Sequence, residues 1–167
     1  VSQDNIAKFQ CEFVSMEDGG RISLRVESLF PHQFAALRYL YTKGNPDVMI
    51  NSLKRCQTFD PGAGKSGSGF FVTRDDKFVL KAVKKEELMH FVRHFNSVYF
   101  AHMGLLFQQK TPADDNGSFD NSAQIHSSFL VKILGVYTIT TKRQRVFGQQ
   151  VKHYILMEKL FYKRPKD

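Results

Sequence analysis

Between Arg21 and Val26 apolar and polar side chains alternate, with Ile22, Leu24 and Val26 on one side and Arg21, Ser23 and Arg25 on the other. That period of two predicts a strand. With residues 10–15 it predicts a hairpin turning at Asp18-Gly19-Gly20. The period then changes. Phe34, Leu37, Arg38 and Tyr41 fall at helical spacing between Pro31 and Gly44, a proline at the start and a glycine past the end. Pro46 begins a short helix predicted to run through Cys56. A long helix starts at Lys84 or Lys85 and reaches about Phe107, with Leu88, Phe91, Val92, Phe95, Val98, Tyr99 and Met103 as its apolar stripe. Strands are predicted over residues 70–74 and 77–83, turning at Asp75-Asp76, and over 129–141 and 152–160. The fold class expected is α+β, an antiparallel sheet of five or more strands with helices on one face.

The chain has 167 residues, 42% of them hydrophobic, which suffices for one domain and one core. No apolar run is long enough to span a bilayer. Val1 is not an initiating residue, and no signal-like stretch precedes the first strand, so the sequence reads as a piece of a longer protein. Cys11 and Cys56 stand in no metal or redox spacing, which suits a reducing cytosol. Residues 108–128 are polar, contain Pro112 and Gly117, and show no period; they predict a mobile surface insertion.

Charge is uneven. The net value is +8, and residues 142–167 hold eight Lys/Arg against two Asp/Glu. Lys142-Arg143-Gln144-Arg145 and Lys163-Arg164-Pro165-Lys166 are the basic clusters. They fit a solvated surface or an anionic membrane, where each cation contributes about 1 kcal/mol. Nucleic acid would use the same charge, but no aromatic platform accompanies it. His90, His94 and His102 fall at multiples of four on the long helix; without a carboxylate between them or a third ligand they read as a polar face and not a metal site.

Candidate chemistry concentrates between Gly64 and Lys81. Ala63-Gly64-Lys65-Ser66 looks like the end of a Walker phosphate loop, but the required first glycine is Phe59, and a strand follows in place of a helix. Gly67-Ser68-Gly69-Phe70-Phe71-Val72-Thr73 looks like an RNA-binding strand, but Ser68 and Thr73 occupy the stacking positions. The third reading is a glycine-rich lid over nucleotide phosphates. Gly64, Lys65, Ser66, Gly67, Ser68 and Gly69 offer backbone N–H groups without bulky side chains. Lys77, Val79 and Lys81 share one strand face, so Lys81 can reach the phosphates.

Four blocks add a resemblance to this pattern. They are Ile50-Asn51-Ser52-Leu53-Lys54-Arg55-Cys56; the loop and hairpin from Gly64 to Lys81; Phe129-Leu130-Val131-Lys132-Ile133-Leu134-Gly135-Val136-Tyr137; and Tyr154-Ile155-Leu156-Met157-Glu158-Lys159-Leu160-Phe161-Tyr162. In this order they resemble the catalytic domain of the phosphatidylinositol phosphate kinases, from about Phe34 to Tyr162. The Ser52–Cys56, Asp75–Lys81 and Lys132–Tyr137 segments are most similar to the type III branch, the phosphatidylinositol 3-phosphate 5-kinases.

The resemblance implies the N-terminal lobe of a lipid kinase, with ATP and a phosphoinositide in an anionic membrane as partners and Mg2+ held by a later part of the domain. It implies a cytoplasmic protein peripheral on a membrane, endosomal or vacuolar for type III, plasma membrane for a phosphatidylinositol 4-phosphate 5-kinase. An acid six residues after the lysine commonly pairs with it, here Glu87, with Glu86 as the second choice. Met157 is expected at the back of the adenine pocket and Leu160 to supply backbone contacts. Relatives commonly carry Asn where this chain has Lys159. The family's catalytic aspartate and metal ligands follow the hinge, so the 167 residues alone are expected to be inactive. A pseudokinase or scaffold lobe and a basic RNA-binding module are the rival readings.

Overall fold

The predicted hairpin opens the sheet. In a computed structural model, which describes residues 7–17, 20–59, 69–108, 130–143 and 148–160, β1 (Lys8–Glu17) pairs antiparallel with β2 (Gly20–Leu29). Helix α1 (Pro31–Tyr41) begins on its proline and gives way at Gly44, whose φ of 76° suits glycine. Helix α2 (Asp47–Leu53) ends before Cys56, contrary to the expected helix through that residue. Cys56 instead opens β3 (Cys56–Phe59), because those four residues pair with the open edge of β4 (Phe70–Thr73), Cys56 opposite Thr73. β5 (Phe78–Val83) completes the second hairpin.

Helix α3 (Lys85–His90), a π-helical turn (Phe91–Phe95) and α4 (Asn96–Gln108) form one helical run. β6 (Ile133–Arg143) and β7 (Gln149–Glu158) then pair as far as Lys142 opposite Gln149, so the hairpin reaches past the predicted limits of 141 and 152, while β6 starts later than 129 and β7 ends before 160. β-branched Thr138, Thr140 and Thr141 favour that extension. The seven strands lie in the order β1-β2-β6-β7-β5-β4-β3, every neighbouring pair antiparallel. This is the α+β class that the pattern predicts. No helix among the described residues is long and apolar enough to cross a membrane.

Adjacent residues of a strand face opposite ways, and the core divides accordingly. Ile155 packs on a cluster of Phe30, Phe34, Leu37, Leu88, Phe91, Tyr99, Met103 and Val136, which joins α1 and the long helical run to one face. Leu156 belongs to a smaller cluster with Met49, Phe78 and Leu134, which seats α2 on the other face. A bulge between Ile133 and Gly135 re-aims the start of β6. A Cβ at Gly135 would run into the Tyr137 ring, which would have to move.

The π turn changes the expected stripe. Leu88, Phe91, Val92, Tyr99 and Met103 are buried, but Val98 is 65% exposed and Phe95 only partly covered. Phe100 takes their place, packed edge-on against Phe30 and Phe34. A π turn holds more residues than an α turn and advances the helical phase, which rotates Val98 out and Phe100 in. Asn96 compensates locally: its side-chain amide donates to the carbonyls of Phe91 and Val92.

Candidate functional site

The turn before β5 sets the position of the candidate lysine. Thr73 is fully buried, and its hydroxyl accepts from the Phe78 N–H at 3.1 Å. Asp76 adopts a left-handed conformation (φ 58°) in the turn. Burial would raise Asp75, but hydrogen bonds from Ser52, Thr73 and Lys77 hold its carboxyl below the ordinary value. The Ser52 hydroxyl thereby ties α2 to the turn.

β5 then carries Lys81 beside the end of the glycine-rich loop. The Ala82 N–H donates to the Gly69 carbonyl at 2.8 Å, and Phe70 pairs with Lys81. Among the described residues, no atom lies within 4 Å of where a Cβ at Gly69 would stand. Gly64, Lys65, Ser66, Gly67 and Ser68 lie outside the described residues.

Lys81 Nζ donates to Glu87 Oε1 at 3.0 Å, the partner expected first. Glu87 occupies the third position of α3, and its other oxygen accepts the Lys84 N–H at 2.8 Å. Those two bonds, the backbone one foremost, hold its carboxyl below the usual glutamate range. One carboxylate thus caps the helix and orients the lysine.

Glu86, the second choice, points elsewhere. It shares an exposed surface hollow with Lys85, Met89, His90, Arg93 and His94. Its charge and that of Lys85 reach His153, which bonds Thr138 Oγ1 at 2.9 Å. Burial and then Lys85 lower the His153 pKa below 6.5 despite Glu86. A lowered histidine pKa favours folding when neutral, so its contribution is complete above pH 6.5 and is lost as pH falls below it. We predict that denaturation midpoints fall between pH 7.5 and pH 5.5, and that His153→Gln flattens this slope.

Met157 and Val79 pair across β5 and β7, and Lys81 shares their face. The apolar floor and the charged group therefore lie side by side. At the strand's end the Glu158 N–H donates to the Lys132 carbonyl and the Lys159 N–H to the Lys77 carbonyl. No hydrogen bond among the described residues engages the backbone of Leu160, which is 60% exposed. Lys159 sends Nζ to Asp76 Oδ1 at 2.6 Å and locks the end of β7 to the turn before β5.

Sequence reasoning assigned nothing to the ion pair that closes this corner. Lys132 Nζ lies 2.9 Å from Glu158 Oε1, with both side chains more than four-fifths buried. The available signal was a glutamate ending an apolar strand, since buried carboxylates require a partner. His90 and His94 lie with ring centroids 5.3 Å apart on the exposed side of the helix. No group of three His, Cys, Asp or Glu among the described residues can hold a metal.

The sequence profile of the family described as Phosphatidylinositol-4-phosphate 5-Kinase matches residues 54–109. The chain is 30% identical over 150 residues to the 1-phosphatidylinositol-3-phosphate 5-kinase FAB1B of Arabidopsis thaliana, covering 89% of this chain and 7% of that protein. It is 30% identical over 132 residues to the 1-phosphatidylinositol 3-phosphate 5-kinase of Homo sapiens, covering 79% and 6%. Against the 1-phosphatidylinositol 3-phosphate 5-kinase FAB1 of Saccharomyces cerevisiae the identity is 34% over 116 residues, covering 69% and 4%. The chain thus spans less than a tenth of the length of each. It belongs to the phosphatidylinositol phosphate kinase family.

Proposed function

We propose that the chain is the ATP-binding lobe of a lipid kinase that transfers the γ-phosphoryl group of ATP to the 5-hydroxyl of phosphatidylinositol 3-phosphate. The Lys81–Glu87 pair beside the end of the glycine-rich loop carries this reading. Phosphoryl transfer spreads charge over the phosphate oxygens, and catalysis is mainly positioning and electrostatic stabilisation. In this reading Lys81 meets that charge, with Glu87 holding its ammonium in place. Glycines without side chains let the loop backbone approach the phosphates. Val79 and Met157 face the adenine ring, and the backbone of Leu160 bonds its edge. Residues elsewhere in the protein would hold Mg2+, which would help neutralise the charge on the phosphates. The domain sits on an anionic membrane where the lipid resides.

The names of the relatives support the 3-phosphate substrate. The description of the matching family favours phosphatidylinositol 4-phosphate as the second reading. Incubating the full-length protein with labelled ATP, Mg2+ and vesicles of phosphatidylinositol 3-, 4- or 5-phosphate separates the two. Label is expected in the 3-phosphate vesicles. Label in the 4-phosphate vesicles alone selects the second reading. No label in any, from folded protein, favours a pseudokinase or scaffold.

A further inference from the structure

Tyr99 is 1% exposed, and its hydroxyl makes two bonds to one residue. It accepts the Ile133 N–H at 2.6 Å and donates to the Ile133 carbonyl at 2.9 Å. Ile133 sits at the bulge of β6 and pairs with Met157, on the strand that carries the adenine-facing side of the proposed site. The phenol therefore satisfies backbone groups at an irregular point of the ladder. Phe91, Phe95 and Phe100 surround the ring, which fixes its direction. Glu87 lies in the same helical run, twelve residues earlier and across the π turn.

The first turn of that run is lightly held by comparison. Lys84, Lys85, Glu86 and Glu87 are all exposed, and Leu88 is the first buried residue. Glu87 thus keeps its position relative to Lys81 through the run behind it and the strand before it. Tyr99 ties the run to β6 through its two hydrogen bonds to Ile133. We propose that Tyr99 is a positioning residue: its hydroxyl couples the helix that carries Glu87 to the β6–β7 corner, so that lysine, glutamate and adenine side form one rigid unit. This inference rests on the kinase reading of the Lys81–Glu87 pair. Tyr99 touches neither nucleotide nor lipid; it acts through Glu87.

A double-mutant cycle in the full-length protein tests it. Tyr99→Phe removes one oxygen and keeps the ring. Its denaturation midpoint is measured first, and assays run below that temperature. Against phosphatidylinositol 3-phosphate vesicles, Tyr99→Phe is expected to lower kcat about tenfold while KM for the lipid stays unchanged. In a Glu87→Gln background the same change adds less than about twofold, because both act on one lysine. Amide exchange in residues 84–88 should also quicken in Tyr99→Phe. Losses that multiply independently overturn the inference. So does an unchanged kcat, or faster exchange confined to residues around Ile133. If wild type labels the lipid and Glu87→Gln impairs it while Tyr99→Phe does not, only this inference fails. If wild type labels no lipid, the kinase reading fails and this inference with it.

Discussion

Replacing Lys81 by Ala lowers kcat/KM for lipid phosphorylation by about a hundredfold or more and leaves the fold intact. The size follows from what one preorganised charge contributes to a transition state in a partly dehydrated site, about 10²–10³ in rate. The intact fold follows from the surroundings. The Lys81 side chain is 28% exposed, and Glu87 keeps its bond to the Lys84 N–H when the ammonium is gone. No fully buried carboxylate is left unpaired, so the large penalty of breaking a buried pair does not arise. Kinetics and a denaturation curve on the full-length variant check both halves. A variant with wild-type kcat/KM would remove Lys81 from the phosphate site.

Phe34→Ala is expected to have the largest effect on stability, a loss of about 3–5 kcal/mol. Its ring is fully buried and meets Phe30, Phe91 and Phe100 at centroid distances of 6.5, 6.4 and 5.0 Å. Those partners come from the junction of β2 and α1, the π turn and α4, so one cavity would loosen α1 from the helical run that carries Glu87. Phe13→Ala is the control: that side chain is 56% exposed on the edge strand, and its loss should cost no more than about 0.5 kcal/mol. Denaturant midpoints of the two variants should differ accordingly; equal midpoints would mean that the aromatic cluster does not hold the lobe together.

Much of the architecture is legible in side-chain order alone. Ile22, Leu24 and Val26 declare β2 because one face of that strand is more apolar than the other, and Pro31 and Gly44 bracket α1 because each has a backbone preference of its own. The Lys81–Glu87 pair was expected from the family resemblance, and the strand end and helix start do bring the two heads together. Other features depend on what lies across the fold. The β3 strand exists because β4 offers an edge, which Cys56 and its neighbours do not announce. The π turn is invisible to a period of 3.6, and with it the burial of Phe100 and the exposure of Val98. The Lys132–Glu158 pair joins residues 26 positions apart, beyond any local pattern. Lys159, a puzzle by resemblance, has its partner in Asp76, 83 positions away.

The π turn also sets a rule for how this segment can vary in length. An α-helix turns by about 100° per residue. The π turn holds one residue more than the α turn it replaces. Deleting one residue between Phe91 and Phe95 would therefore let the run become an ordinary helix, with Glu87 still toward Lys81 and Tyr99 still in the core. A second deletion would find no wide turn to absorb it and would swing one half around the other by that angle, so that Glu87 would leave Lys81 or Tyr99 would leave the core. Aligned family members that retain both ends should therefore differ by at most one residue across this stretch, with the gap at these five positions.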